Sequence, residues 1–145
     1  MIKNLSEYFE PEYQYYLNSI NYTKLDSELP ISALKMDGED RIEVQVLDKK
    51  VKLTLTRNIG FKPEGLFSLN VSFGAILTFK EDKIHEYDWN TINLADEFIH
   101  YGGFVLGNLI SRITLLVGQI TSSFGQPPIF LPTVPENNID ASQEG

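Results

Sequence analysis

Phe67-Ser68-Leu69-Asn70-Val71-Ser72-Phe73-Gly74-Ala75-Ile76-Leu77-Thr78-Phe79 has an apolar residue at every odd position, while Ser68, Asn70, Ser72, Gly74 and Thr78 fall on the even ones. Successive side chains of a strand point to opposite faces, so this run predicts one long strand with one buried face. Gly74 marks a place for a bulge. The turn before it is Phe61-Lys62-Pro63-Glu64-Gly65, whose proline and glycine suit a chain reversal. Upstream of that turn, Arg41–Leu47 and Val51–Thr56 alternate in the same way around the polar Asp48-Lys49-Lys50, which predicts two strands joined by a short turn. Tyr13–Leu25 is rich in tyrosine and isoleucine and reads as an earlier strand, although Glu7–Tyr16 also suits the start of a short helix. A crossover loop is expected from Asp26 to Asp40.

After Trp89 the period lengthens. Asn90 or Thr91 can cap a helix through Leu94, Phe98 and Tyr101, with Gly102-Gly103 to break it. A longer helix follows over about Phe104–Ser123, with Val105, Leu109, Ile113, Leu116, Val117 and Ile120 forming a stripe broader than a lone surface helix needs. The expected architecture is therefore α+β: a four-stranded antiparallel sheet with a long C-terminal helix and a shorter preceding helix packed on one face. At 145 residues the chain suits one domain, expected over 1–135, with a disordered polar tail over 136–145.

Composition removes several classes of function. There is no cysteine, hence no disulfide, thiolate metal site or Cys nucleophile. A net charge of -8, with Lys and Arg scattered, disfavours nucleic acid as a partner. The N-terminal residues hold no apolar stretch of the signal-peptide kind, so a cytoplasmic location is expected. The apolar run from Phe104 to Ile120 is interrupted by Asn108, Arg112 and Gln119 and is short of the roughly 20 apolar residues of a bilayer span, so membrane insertion is not expected.

The chain carries no phosphate-binding glycine loop and no nucleophile elbow, and its only histidines, His85 and His100, lack a ligand set; Glu97 three residues before His100 is one weak pair. Glu81-Asp82 and Glu86/Asp88 flank strand ends, where charges mark solvent. No catalytic residue, no metal site and no cofactor are expected, and the protein is not read as an enzyme. The aromatics Tyr87, Trp89, Phe98, Tyr101, Phe104, Phe124 and Phe130 have core packing as their ordinary role. Together with the apolar residues of the crossover loop and of the proline-rich run after the helix, they exceed what a domain of this size readily hides, which points to an extended apolar groove.

Gly125-Gln126-Pro127-Pro128-Ile129-Phe130-Leu131-Pro132-Thr133-Val134, directly after the long amphipathic helix, resembles the Gly-Phe-Pro-Pro-Leu-x-Leu-x-Pro-Val signature of the SecB family of protein-export chaperones. Phe73–Phe79 is similar to the last strand of that family, and the order of elements agrees from about Tyr13 to Val134. Gln126 and Thr133 replace the family's aromatic and second proline, so the resemblance is to a divergent member. It implies a homotetramer, a dimer of dimers, that holds unfolded or precursor polypeptides in apolar grooves without ATP or cofactor. The groove would run between the crossover loop, the long helix and the segment after it, lined by Leu34, Met36, Leu116, Ile120, Phe124, Ile129 and Leu131. Export members of the family also dock the SecA ATPase through an acidic patch on the sheet face; other members serve toxin-antitoxin pairs. Two alternatives stand beside this reading: an oligomeric adapter for one dedicated partner, and a small ligand-binding domain with His100 or Tyr101 at the mouth of a pocket.

Overall fold

The structure, a computed structural model, describes residues 1–124 and 139–144. Four long strands, β1 (Gln14–Leu25), β2 (Lys35–Leu47), β3 (Lys50–Lys62) and β4 (Leu66–Thr78), are followed by helices α1 (Leu94–Tyr101) and α2 (Gly103–Ser122) and a short strand β5 (Ile139–Glu144). The spatial order is β1-β4-β3-β2-β5, so β1 leads into the crossover and lies at one edge of the sheet. The first four strands pair antiparallel, as expected; β5 adds to β2 in parallel. Residues 139–144, assigned by sequence to a disordered polar tail, instead form this fifth strand.

β4 is the centre of the core. Phe67, Leu69, Val71, Ala75, Leu77 and Phe79 are buried on the side that carries the helices, where the alternation of β3 brings Val51, Leu53, Leu55 and Ile59 beside them. Val105, Leu109, Ile113 and Val117, at helical spacing, close the core from α2. The N-terminal residues complete one end. Phe9 bridges Phe79, Leu5 and Tyr8 are buried, and the Ile2 N–H donates to the Glu97 carboxylate at 2.8 Å.

Several boundaries move. β2 starts at Lys35, so the crossover shortens to residues 26–34, with a single 3-10 turn at Ile31–Ala33. The expected strand over Tyr13–Leu25 starts one residue later, at Gln14, and the helical turn before it is 3-10, at Leu5–Tyr8. The cap of α1 is Asn93, whose side-chain oxygen accepts the Asp96 N–H at 3.2 Å, in place of the expected Asn90 or Thr91. Gly102 does break the helices: a Cβ there would sit 2.3 Å from the Phe98 carbonyl oxygen, so only glycine fits.

The bulge lies across from its expected place. The register of β1 on β4 slips between Leu17 and Ser19, next to the Tyr16–Gly74 pair. Gly74 itself stays regular and makes room for the Tyr16 ring, which a Cβ would meet at 2.2 Å. Asn18, the residue left out of the register at the slip, and Ser19 just after it both hydrogen-bond the Ser72 hydroxyl, at 2.9 and 2.7 Å.

Continuing the odd alternation of β3 beyond Thr56 places Arg57 inside the fold. Its guanidinium is 1% exposed and forms a two-point pair with Asp40, Nε to Oδ1 at 2.9 Å and Nη2 to Oδ2 at 3.0 Å, while Nη1 donates to the Thr114 hydroxyl at 3.1 Å. A buried charge needs both a counter-charge and hydrogen bonds. Here the pair ties β2, β3 and α2 together.

Candidate functional site

An antiparallel pair of residues shares a face, so the register decides which side chains lie beside the helices. On β1 these are Tyr15 (opposite Ala75), Leu17 (opposite Phe73) and, past the bulge, Ile20 (opposite Val71) and Tyr22 (opposite Leu69). Leu17, Ile20 and Tyr22 are nevertheless 49%, 42% and 45% exposed. They sit on the edge strand, where the helix layer only partly covers the sheet.

The flank of α2 that borders this row is defined by contacts at its two ends. The Arg112 guanidinium lies over the Tyr15 ring at 4.7 Å, and the Phe124 ring, just past the helix, lies 4.8 Å from that of Tyr22. Residues four apart on a helix stack along one side, so Leu116 and Ile120 fall between Arg112 and Phe124. Both are partly buried against the core. The result is an apolar strip, with Leu17, Ile20 and Tyr22 as one border and Leu116, Ile120 and Phe124 as the other.

At the Tyr22 end the strip turns across the sheet on a chain of aromatic rings. Phe124 meets Phe67 at 5.3 Å and Phe67 meets Phe61 at 5.2 Å, edge to face. Phe61 pairs in register with Met36, 44% exposed, and the Leu34 side chain reaches Gly65 in the turn between β3 and β4. Of the residues expected to line a groove, the structure joins Met36, Leu116, Ile120 and Phe124 into one surface and places Leu34 at its rim. Ile129 and Leu131 lie outside the described residues.

Sequence reading missed Leu17, Ile20, Tyr22, Phe61 and Phe67 as parts of this surface. The bulge shifts the phase of β1, so Leu17 and Ile20 have opposite parity in sequence yet the same face in space. Only the Tyr13, Tyr15, Leu17 run hinted at the row.

Among the described residues, no group of three or more histidine or carboxylate side chains is placed to hold a metal. Glu97, the weak partner proposed for His100, faces inward to Ile2, and the His100 Nδ1 lies 2.9 Å from the Asp96 carbonyl. Two open depressions, one lined by Glu43, Val44, Gln45, Lys52 and Thr54 and the other by Asp48, Lys49, Phe79, Glu81, Ile84 and His85, lie away from His100 and Tyr101. The titration shifts belong to tyrosines. Burial, with hydrogen bonds that the Tyr8 hydroxyl makes to Tyr87 and Glu86, pushes that hydroxyl up to about 12, and burial raises Tyr13 and Tyr15, with Arg112 pulling Tyr15 the other way.

Two further features bear on partners. α2 is long and apolar enough to cross a bilayer by length and composition, but its inward residues pack on β3 and β4. The face of the sheet turned away from the helices carries Lys35, Arg41, Lys50, Lys52 and Lys62 against Asp37, Glu39 and Glu43, with Lys62–Asp37 and Arg41–Glu43 paired. Despite the acidity of the whole chain, the described side chains of that face are not an acidic patch.

No family model matches the chain, and no curated protein matches it in sequence. Among solved structures, it is similar to the Mycobacterium tuberculosis SecB-like chaperone Rv1957 in complex with a ChAD peptide from the HigA1 antitoxin, Rv1956. The two share 14% identity over 90% of this chain and 93% of that one, at a TM-score of 0.61. With its antiparallel four-strand order, its crossover from β1 to β2 and its paired helices on one face, the chain has a SecB-like fold.

Proposed function

We propose that this protein is an ATP-independent, cofactor-free chaperone that binds unfolded polypeptides along the strip between α2, β1 and the start of β2, acting as a single domain over residues 1–135. The observation that carries the reading is the continuous row of half-exposed apolar side chains, Leu17, Ile20, Tyr22 and Met36, beside Leu116, Ile120 and Phe124. Unfolded segments expose apolar side chains at irregular spacing, and an elongated apolar surface without shaped subsites takes them by burial alone. Adding Ile129 and Leu131 would lengthen the groove. The related fold of a chaperone solved with an antitoxin peptide supports a polypeptide ligand.

Two routes separate within this reading. Protein export would require docking of SecA on an acidic sheet face, and on β2 and β3 the described side chains of that face are five basic against three acidic, with Asp140 and Glu144 of β5 in register beside Arg41 and Gln45. The antitoxin peptide bound by the solved neighbour favours service to a dedicated client, such as an antitoxin, over export. A cytoplasmic location and a homotetramer built as a dimer of dimers belong to the same proposal; an edge strand with exposed apolar residues suits burial between copies as well as client binding.

The test is suppression of aggregation of a slowly folding precursor at stoichiometric chaperone and without nucleotide, with mass measured by light scattering on the same sample. Suppression by a tetramer is the expected result. A monomer or dimer that leaves aggregation unchanged would remove the chaperone reading and leave an adapter with the same fold.

A further inference from the structure

β5 is an unusual strand. Asp140, Ala141, Ser142, Gln143 and Glu144 come from residue types that are mostly poor strand formers, yet Ile139–Glu144 pairs in unbroken register with Asp40–Gln45. Sixteen residues separate it from the end of α2 at Ser122, so it reaches the edge of β2 as a tethered segment, after both helices have closed the core. The edge it covers is itself firmly held. Ile42 and Val44 are buried, all thirteen residues of β2 pair with β3 on the other side, and the Arg57–Asp40 pair anchors the first residue of the β5 register. Beyond that register, among the described residues, Lys35–Glu39 of the same edge pair with no strand on that side.

A strand edge held in place from its other side offers a row of main-chain donors and acceptors and accepts any extended chain, with little demand on side chains. A segment of such low strand propensity seated there points to recognition of extended backbone. From this we infer that the outer edge of β2 is a second polypeptide-binding site, a strand-addition site for an extended client segment, and that residues 139–144 occupy it as a tethered internal competitor. The inference rests on the reading of the protein as a polypeptide binder but uses a different surface, on the opposite edge of the sheet from Leu17, Ile20 and Tyr22. Client would take the edge by displacing the tail, and apolar capture beside α2 would bring client close enough to do so.

Tethering at short range gives an effective concentration on the order of 1 mM, so an untethered copy of the same segment should be held off the intact chain by roughly tenfold if it binds at about 0.1 mM. The experiment uses a fluorescent synthetic peptide of residues 137–145 and three proteins: the full chain, the chain ending at Pro135, and the full chain with Ala141→Pro, which removes a main-chain donor from β5. The expected result is binding to both altered proteins roughly tenfold tighter than to the full chain, with faster amide exchange at Ile42–Gln45 in both until peptide is added. Equal or absent binding in all three proteins, or amide exchange indifferent to loss of the tail, overturns the inference. The Ala141→Pro chain keeps the test open should the shortened chain fail to fold. Aggregation suppression on the same samples separates the two sites: if suppression is absent but peptide exchange behaves as expected, the apolar-strip reading fails and the edge site stands.

Discussion

Replacing Leu17 and Ile20 together by threonine tests the apolar strip at the point where the sequence is least suggestive. Threonine is β-branched, which suits a strand, and removes the greasy surface. Leu17 is 49% and Ile20 42% exposed, so client binding has about half of each side chain left to bury. Full burial of a Leu or Ile is worth about 1.5–3 kcal/mol, which scales to roughly 0.7–1.5 kcal/mol for Leu17 and 0.6–1.3 kcal/mol for Ile20. If client covers both, the double variant should bind an unfolded precursor about 10- to 100-fold more weakly, at roughly 1.4 kcal/mol per tenfold. The already buried halves should cost stability of similar size, so affinity is measured well below the melting temperature, by titration of a labelled, reduced and unfolded protein. Leu47→Thr is the matched control: Leu47 is 46% exposed but lies in the register of the opposite sheet face. Its affinity should not change. An unchanged affinity in the Leu17/Ile20 variant, or an equal loss in Leu47→Thr, would refute the placement of client on this strip.

Two further outcomes follow from the interior. Asp40→Ala leaves the Arg57 guanidinium buried without its carboxylate and should destabilise the fold by about 3–5 kcal/mol, whereas Asp40→Leu with Arg57→Met should recover most of that loss; urea unfolding at fixed protein concentration distinguishes the two, and a single variant within 1 kcal/mol of the parent would contradict the buried-pair geometry. Tyr8 is raised to about 12, so between pH 10 and 12 the unfolded chain gives up this proton while the folded chain keeps it. Stability from this group is complete below pH 10 and falls as pH rises through that window, and Tyr8→Phe should flatten the fall in a pH series of melting curves, leaving the smaller slope from Tyr13 and Tyr15.

The order of elements was legible because each carries its own period. The thirteen-residue alternation of Phe67–Phe79 can bury one face only as a strand, and Val105, Leu109, Ile113 and Val117 share a side only on a helix. Gly102 was readable as a break because no other residue fits against the Phe98 carbonyl. Half of the candidate surface was legible for a similar reason: Met36, Leu116, Ile120 and Phe124 are apolar residues just outside, or on the flank of, strongly periodic segments. The other half depended on partners far away in sequence. The slip between Leu17 and Ser19 changes the parity of β1, and only pairing with β4 reveals that Leu17, Ile20 and Tyr22 form one row. Arg57 reads as a polar interruption until Asp40 and Thr114 converge on it from 17 and 57 residues away. The tail, too polar to predict as a strand, acquires that conformation from the edge of β2, since main-chain pairing is a property of the site it meets and not of the residues it carries. Local periodicity and glycine sterics are written in the chain itself; register, edge exposure and the pairing of buried charges come into being only when distant segments meet.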